Sequence, residues 1–529
     1  MNFNIIPAFK NIQLNKPAFK SQPNKTNTNP ILEKQPTKDS FELSIGYVND
    51  IHGQTNNMMR ILSGLNGDLK LSAGDNDIGD EKNKLIHKAT VLFMNLADIK
   101  ASALGNHEFD TTQADFIKTL ENMDAKMLSV NLKKVDNWES RTDNLPEYER
   151  AKLDDKLAKS TIVNVKGENV GIIGASPIDM FDRLTHPNYH KDCKTDTLES
   201  TVKEIQEEVD KMKEQGINKI VLLSHLGLAK DKMIAPKLDG VDVIIGGHTH
   251  ELVKDIKEGK NLFYTKSGEP IIITEAGRDG NYFGQLNLEF DKDGVITKAQ
   301  NNIGDTSNFS KNLVNQYLFD KIMGEPEDIG YIHSAPLPPK TLIEENPHAN
   351  FVCDAMRDIT NADIGVWNNS GIRNFFHEGA IDSRDIKDIA PFLDRVSVAN
   401  VSEKTIVDMF KRAVYETCTS LGHKPGLLAV SGLNYTVNKS TGEILEMNFI
   451  DKDGKETPID LNNPRENKFY RLTTDEFMMS ADADYNKLAA EEDCLEIYPY
   501  DKDVMTCQYI KKLNIPVTIN QTGRIRFVD

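Results

Sequence analysis

The stretch "IKASALGNHEFD", Ile99 to Asp110, frames the reading of this chain. A run with the character of a buried strand, "IKASALG", ends in an amide, an imidazole and two carboxylates within five residues. Asn106 could begin a helix, with Glu108 and Asp110 suited to its positive first turn. The other reading is a metal and acid/base site at a strand end. One segment does not choose between them, so the choice depends on partners elsewhere in the sequence.

Four further clusters have the same form. "YVNDIHGQ" places Asp50 and His52 two apart in the chain leaving an apolar run, and extended backbone aims positions i and i+2 to the same side. "LSAGDND" places Asp75 behind a glycine that lets the backbone turn. "LLSHLGL" offers His225, and "VIIGGHTH" offers His248 and His250. Each follows an apolar run, and in open α/β sheets functional residues gather at the carboxyl ends of strands. Taken singly, an Asp-x-His or His-x-His is an ordinary surface pair. Five on successive strand ends imply convergence on one cleft.

The ligand types restrict the chemistry. Imidazole nitrogen with Asp and Asn oxygen, and no thiolate, fits two divalent ions of the Zn, Mn or Fe type. Seven candidates, Asp50, His52, Asp75, Asn106, His225, His248 and His250, exceed the three or four of one catalytic zinc, whereas two ions sharing Asp75 as a bridging carboxylate use them all. Such a pair lowers the pKa of water and offsets the charge that develops during phosphoryl displacement. His107 is then not needed as a ligand and is expected to touch the transferring phosphoryl or leaving oxygen, with Asp110 fixing its tautomer.

The remaining composition narrows the partners. With 27% charged and 39% hydrophobic residues over 529 positions, and no apolar run near the roughly 20 residues of a membrane span, the chain reads as a soluble globular protein without a membrane segment. A net charge of −18 without a dense basic stripe argues against a nucleic acid duplex as partner. Five scattered cysteines with no C-x-x-C pair make neither a thiolate site nor a disulfide framework. The start "MNFNIIPAFK" lacks the basic and apolar regions of a signal peptide, so the expectation from sequence is a cytoplasmic protein.

Strand-like runs alternating with helical segments from Phe41 onward indicate an α/β fold. The clearest helix runs from about Thr197 to Gln215, with Asp196 expected as N-cap and Gly216 as the stop. Residues 1–40, with "PAFK" at 7–10 and again at 17–20, read as a disordered tail. Residues 133–159 read as a charged surface insertion or lid-like excursion. The two "DKDG" segments, Asp291–Gly294 and Asp451–Gly454, read as hairpin turns because a calcium loop needs its glycine two places later. The expected organisation is the tail, a phosphoesterase-like domain at 41–305, a linker helix at 306–330 and a second domain at 331–529.

Written together, "NDIHG", "GD", "GNHEFD", "SH" and "GHTH" resemble the calcineurin-like metallophosphoesterases, and within them the 5′-nucleotidase / UDP-sugar hydrolase group, over about Phe41 to Phe527. The resemblance implies an N-terminal four-layer β-sandwich with flanking helices and a smaller α/β C-terminal substrate-binding domain. It implies one metal on Asp50, His52, Asp75 and His250, a second on Asp75, Asn106, His225 and His248, and His107 with Asp110 as the catalytic dyad. In the second domain "NNSGIR" stands where the family has N-x-G-G-I-R, implying substrate contacts from Asn368 and Arg373. Phe392 of "APFLDR" and Tyr485 are the implied pair of rings that sandwich a nucleobase, an arrangement tolerant of different bases.

The chain also departs from the family. "SADADY" replaces a glycine-rich turn before Tyr485, and "TLIEENPHAN" lacks an arginine often found there. The implied activity is release of phosphate from nucleoside 5′-monophosphates, in nucleotide catabolism. The alternatives are a 2′,3′-cyclic-nucleotide phosphodiesterase/3′-nucleotidase, a UDP-sugar hydrolase, and an inactive nucleotide-binding protein, against which the intact ligand set argues. The family usually works in the periplasm or outside the cell, in tension with the absent signal peptide. The sequence leaves the oligomeric state open.

Overall fold

The structure, a computed structural model, describes residues 40–78, 83–134, 157–180, 193–419, 426–479 and 494–528. The tail with its two "PAFK" segments, most of the charged insertion and Tyr485 lie outside the described residues. The chain divides into two compact units, Met1–Met323 and Gly324–Asp529.

Among the described residues the N-terminal unit holds two large sheets and a two-stranded one, Leu132–Lys134 with Cys193–Thr195. Of the two large sheets, one has seven strands among those residues, in the order Ile296–Asp305, Tyr282–Phe290, Phe41–Val48, Leu69–Ser72, Ala101–Ala103, Lys126–Leu128 and Leu157–Ala158. Phe41–Val48 and the four strands after it in that order are parallel. The other has six, Leu262–Tyr264, Pro270–Thr274, Val243–Gly246, Ile220–Ser224, Glu168–Ala175 and Ser160–Val165. Its four central strands are parallel and its edge strands antiparallel.

Side-chain alternation makes the layers. Val221 and Leu223 join Leu43, Ile45, Tyr47 and Leu71 in the core between the sheets, while Ile220 and Leu222 pack with Ile205, Val209 and Met212 of the helix Leu198–Glu214. The seven-stranded sheet is covered by helices Thr55–Gly64, Lys84–Ala97, Gln113–Asn122 and Leu313–Met323 through Met58, Phe93, Phe116 and Phe319. The result is helix, sheet, sheet, helix: the four-layer sandwich that the resemblance implied.

Local expectations shift in detail. The Leu198–Glu214 helix is capped by Thr197, whose side chain accepts the Ser200 N–H, so the cap falls one residue after Asp196. Gly216 at φ +78° is its left-handed stop. Both "DKDG" segments are turns, with Asp291 and Asp451 side chains accepting N–H groups two residues on and Gly294 and Gly454 at positive φ. The helix expected as a linker is Leu313–Met323, and its buried Phe319 belongs to the core of the N-terminal unit, with Leu318, Ile322 and Met323 packed against that core.

In the C-terminal unit, the helix Pro347–Thr360 starts at Asn346, whose side chain accepts the N–H groups of His348 and Ala349, with proline in the first turn. It leads into the buried strand Ile364–Asn368, which pairs with Leu428–Ser431 and Phe469–Asp475 in a five-stranded sheet.

Candidate metal centre and active site

Three neighbouring strands of one sheet and two of the other deliver the candidate ligands. Asp50 and His52 follow Phe41–Val48, Asp75 follows Leu69–Ser72, and Asn106 and His107 follow Ala101–Ala103. His225 follows Ile220–Ser224, and His248 and His250 follow Val243–Gly246. Short backbone links fix the loops to one another: Asp50 N–H donates to Gly74 O at 2.9 Å, and His52 N–H to Asp75 O at 3.0 Å.

Five of the seven candidates adopt left-handed backbone: Asp50 at φ +48°, His52 at +50°, Asp75 at +50°, His248 at +79° and His250 at +63°. Non-glycine residues avoid this region, and clusters of such strain mark places where the surrounding structure imposes a functional geometry. Close approach adds a second constraint. A Cβ on Gly105 would stand 2.1 Å from Asp75 Oδ1, and one on Gly247 would stand 2.9 Å from both Asp50 Oδ2 and His225 Nδ1. Glycine is required at both by space.

The side chains converge. His250 Nε2 lies 3.4 Å from Asp50 Oδ1, His225 Nε2 lies 3.0 Å from Asp75 Oδ2 and 3.7 Å from Asp50 Oδ1, and His52 Nε2 lies 3.7 Å from Asp75 Oδ2. Ligand atoms of Asp50, His52 and His250 lie within 4.8 Å of one another, as do those of Asp75, His225 and His248 and those of His52, Asp75 and His107. Asp50, His52 and His225 are fully buried.

The hydrogen bonding tests whether a cation fits. His52 Nδ1 donates to Asp279 Oδ1 at 2.9 Å and His225 Nδ1 to Ala73 O at 2.6 Å, which leaves each Nε2 directed inward. Those two Nε2 atoms and Asn106 Oδ1 are buried without a hydrogen-bond partner, His225 Nε2 meeting Asp75 Oδ2 only as a close contact. Buried polar atoms without partners call for an occupant, and two imidazole nitrogens with an amide oxygen beside carboxylates form a divalent-cation donor set. The charges agree. Burial alone would raise Asp50, but His225 and His250 reverse it and draw its carboxyl down to about 2. His225, opposed by burial, is pushed up to about 10 by Asp75 and Asp50. The carboxylates thus demand positive charge, which a bound cation supplies while leaving the imidazoles neutral.

The opening stretch resolves at this point. His107–Phe109 is a single 3-10 turn, and Asn106 makes no side-chain cap. Glu108 instead accepts the N–H groups of Gly105, Asp75 and Asn76 at 2.8, 3.1 and 2.8 Å, tying two strand ends together. His107 Nδ1 donates to Asp110 Oδ2 at 2.8 Å, and its Nε2 lies 4.0 Å from Asp75 Oδ2.

Other supporting residues escape the sequence reading. Asn49 Nδ2 donates to Asp50 Oδ2 at 2.7 Å, and Asp279 supports both His52 and the Asp50 backbone. Asp279 sits in "RDGN", which reads as a turn, so no local signal marked it.

In the C-terminal unit, Asn368 is buried at the end of its strand and donates from Nδ2 to Ser370 Oγ at 2.8 Å. The Arg373 guanidinium lies over the Phe392 ring at 5.2 Å from its centroid, so these two candidates come together.

Comparison with known proteins agrees with this architecture. The calcineurin-like phosphoesterase family profile matches residues 43–252, and the 5′-nucleotidase C-terminal domain profile matches residues 332–490. The chain is 25% identical to rat 5′-nucleotidase over 94% of its own length and 92% of the relative's. It is 26% identical to the trifunctional nucleotide phosphoesterase protein YfkN of Bacillus subtilis over 93% of its length, spanning 35% of that longer protein. The 5′-nucleotidase precursor from Thermus thermophilus shares its fold, with a TM-score of 0.68 and 22% identity over 92% of this chain and all of the other. With its four-layer sandwich and the second domain that follows, the chain belongs to the calcineurin-like phosphoesterases that carry a 5′-nucleotidase C-terminal domain.

Proposed function

We propose that the protein is a dimetal phosphohydrolase that releases phosphate from nucleoside 5′-monophosphates. The observation that carries this reading is the convergence of candidate ligands from five strand ends, with His52 Nε2, Asn106 Oδ1 and His225 Nε2 buried and unbonded, beside a His107–Asp110 pair. Asp50, His52, Asp75 and His250 are assigned to one ion and Asp75, Asn106, His225 and His248 to the other, with Zn, Mn or Fe suited to this donor set. When bound, the two ions lower the pKa of water and offset phosphoryl charge.

The remaining work falls to side chains. Asp110 accepts from His107 Nδ1, which fixes the ring and points Nε2, on a partly exposed edge, toward the phosphoryl group or leaving oxygen. With Nδ1–H held by Asp110, it is the protonated imidazolium whose Nε2–H hydrogen-bonds the oxygen on which charge develops and can pass its proton there, leaving the neutral ring with its proton on Nδ1. Glu108 and Asn49 keep Asp75 and Asp50 aligned without contacting substrate. Recognition of the nucleoside is assigned to Asn368, Arg373, Phe392 and Tyr485. The Arg373 guanidinium covers one face of Phe392 and leaves stacking of a base to the other.

The test is a phosphate-release screen of the metal-reconstituted protein. Nucleoside 5′-monophosphates are expected to exceed 2′,3′-cyclic nucleotides and UDP-glucose in kcat/KM. Preference for either rival substrate would reassign the reaction, and no turnover on any with metals bound would leave a nucleotide-binding protein.

A further inference from the structure

The two halves of the metal centre are supported differently, and the inference drawn from this rests on the two-ion reading above. Behind Asp50, His52 and His250 stands a buried carboxylate. His52 Nδ1 donates to Asp279 Oδ1 at 2.9 Å, with both side chains fully buried. The Asp279 N–H donates to Asp50 O at 2.6 Å, so one residue holds two ligands of the same ion. Its other carboxylate oxygen lies 3.0 Å from Arg278 Nε, and Asn57 Nδ2 donates to its carbonyl at 2.9 Å. Asp279 itself has a left-handed backbone, φ +56°, which a non-glycine residue adopts at an energetic cost and keeps only where its surroundings enforce it.

The opposite half is supported in another way: Glu108 accepts the Gly105 and Asp75 N–H groups and so holds the backbone beside Asn106, and the carboxylate does not reach the His225 ring. His225 Nδ1 donates to a neutral acceptor, the Ala73 carbonyl, at 2.6 Å. Asn106 offers a neutral amide oxygen whose Oδ1 is buried and unbonded. Counting charge, the first position receives Asp50 and the shared Asp75, with Asp279 behind His52. The second receives only the shared Asp75.

We propose that Asp279, paired with Arg278, is a positioning residue that makes the Asp50–His52–His250 position the tighter cation site, filled before the position of Asn106, His225 and His248. A carboxylate on the far nitrogen of a metal-binding imidazole fixes its tautomer and raises its basicity, whereas a carbonyl fixes the tautomer with less charge behind it. The Asp279 link to the Asp50 backbone also preorganises both ligands before any ion arrives.

Equilibrium dialysis of the full-length, metal-free protein against Mn²⁺, with Tm of the metal-free state measured alongside, tests this without recourse to activity. Wild type is expected to bind two ions with separated affinities. Asp279→Asn is expected to weaken the tighter event by about 10- to 100-fold, the usual effect of removing such a partner, and to leave the weaker event in place. Arg278→Gln is expected to weaken the same event by less, and it carries the test if Asp279→Asn does not fold. Loss in the weaker event alone, equal loss in both, or no loss overturns the proposal, as do two equal affinities in wild type. A single bound ion in wild type would overturn the two-ion reading itself.

Discussion

The metal centre and the candidate recognition cluster of the C-terminal unit are held in opposite ways. At the metal centre five of seven candidate ligands keep left-handed backbone, and Gly105 and Gly247 leave no room for a side chain. In the C-terminal unit, among the described residues, the non-glycine residues at positive φ are Asn361 and Asn514, both ordinary helix C-caps. None of Asn368, Arg373 and Phe392 is strained in this way, and the contact that joins two of them is a guanidinium over a ring, both half-buried. The difference teaches that the candidate metal ligands are overdetermined by the fold, whereas the candidate recognition residues are joined by an adjustable side-chain contact.

The largest effect that would sharpen this contrast is expected from Asp75→Asn. A neutral amide bridges two dications poorly, so metal content and turnover should fall together. Retention of two ions with full activity would show that the centre tolerates change as the recognition cluster does. His107→Ala is expected next, slowing turnover by roughly 10²–10⁴ while both ions stay bound. Its Nε2 lies close enough to Asp75 to serve as a ligand, so metal analysis of this variant decides the partition. Loss of an ion would move His107 into the coordination sphere.

The smallest effect is expected in the C-terminal unit. Phe392→Ala should lower kcat/KM for AMP by about 5- to 150-fold, for a stack worth on the order of 1–3 kcal/mol, and leave p-nitrophenyl phosphate nearly unaffected. Tyr485→Ala should act in the same selective sense. Equal loss on both substrates would mean that these rings support the domain and that the contrast between the two regions fails.

The strand-end clusters were legible because each apolar run ends in a ligand-type residue, but the expected extended backbone of the i, i+2 pairs was wrong: Asp50, His52, His248 and His250 lie past the strand ends on left-handed backbone, and the loops rather than strand alternation bring them together. The pairing of two sheets face to face was less legible. A buried parallel strand such as "VIIG" reads as a continuous apolar run, so nothing local says which side meets a helix and which meets the second sheet. Asp279 stayed hidden because "RDGN" has turn chemistry, and its bond to His52 spans 227 positions in sequence. Thr197 in place of Asp196 as helix cap reflects two adjacent residues able to cap, of which only one reaches the third N–H. Glu108 was visible, but neither reading of its segment gave it the role it has, since a carboxylate that ties Asp75, Asn76 and Gly105 looks like a first-turn acid in sequence.

Titration of the metal-free protein with Mn²⁺ while AMP hydrolysis is followed tests the central claim most directly. The expected result is little turnover up to one equivalent and a rise that saturates at two. Full turnover at one equivalent, or without added metal after exhaustive chelation, would contradict a reaction that depends on two ions sharing Asp75.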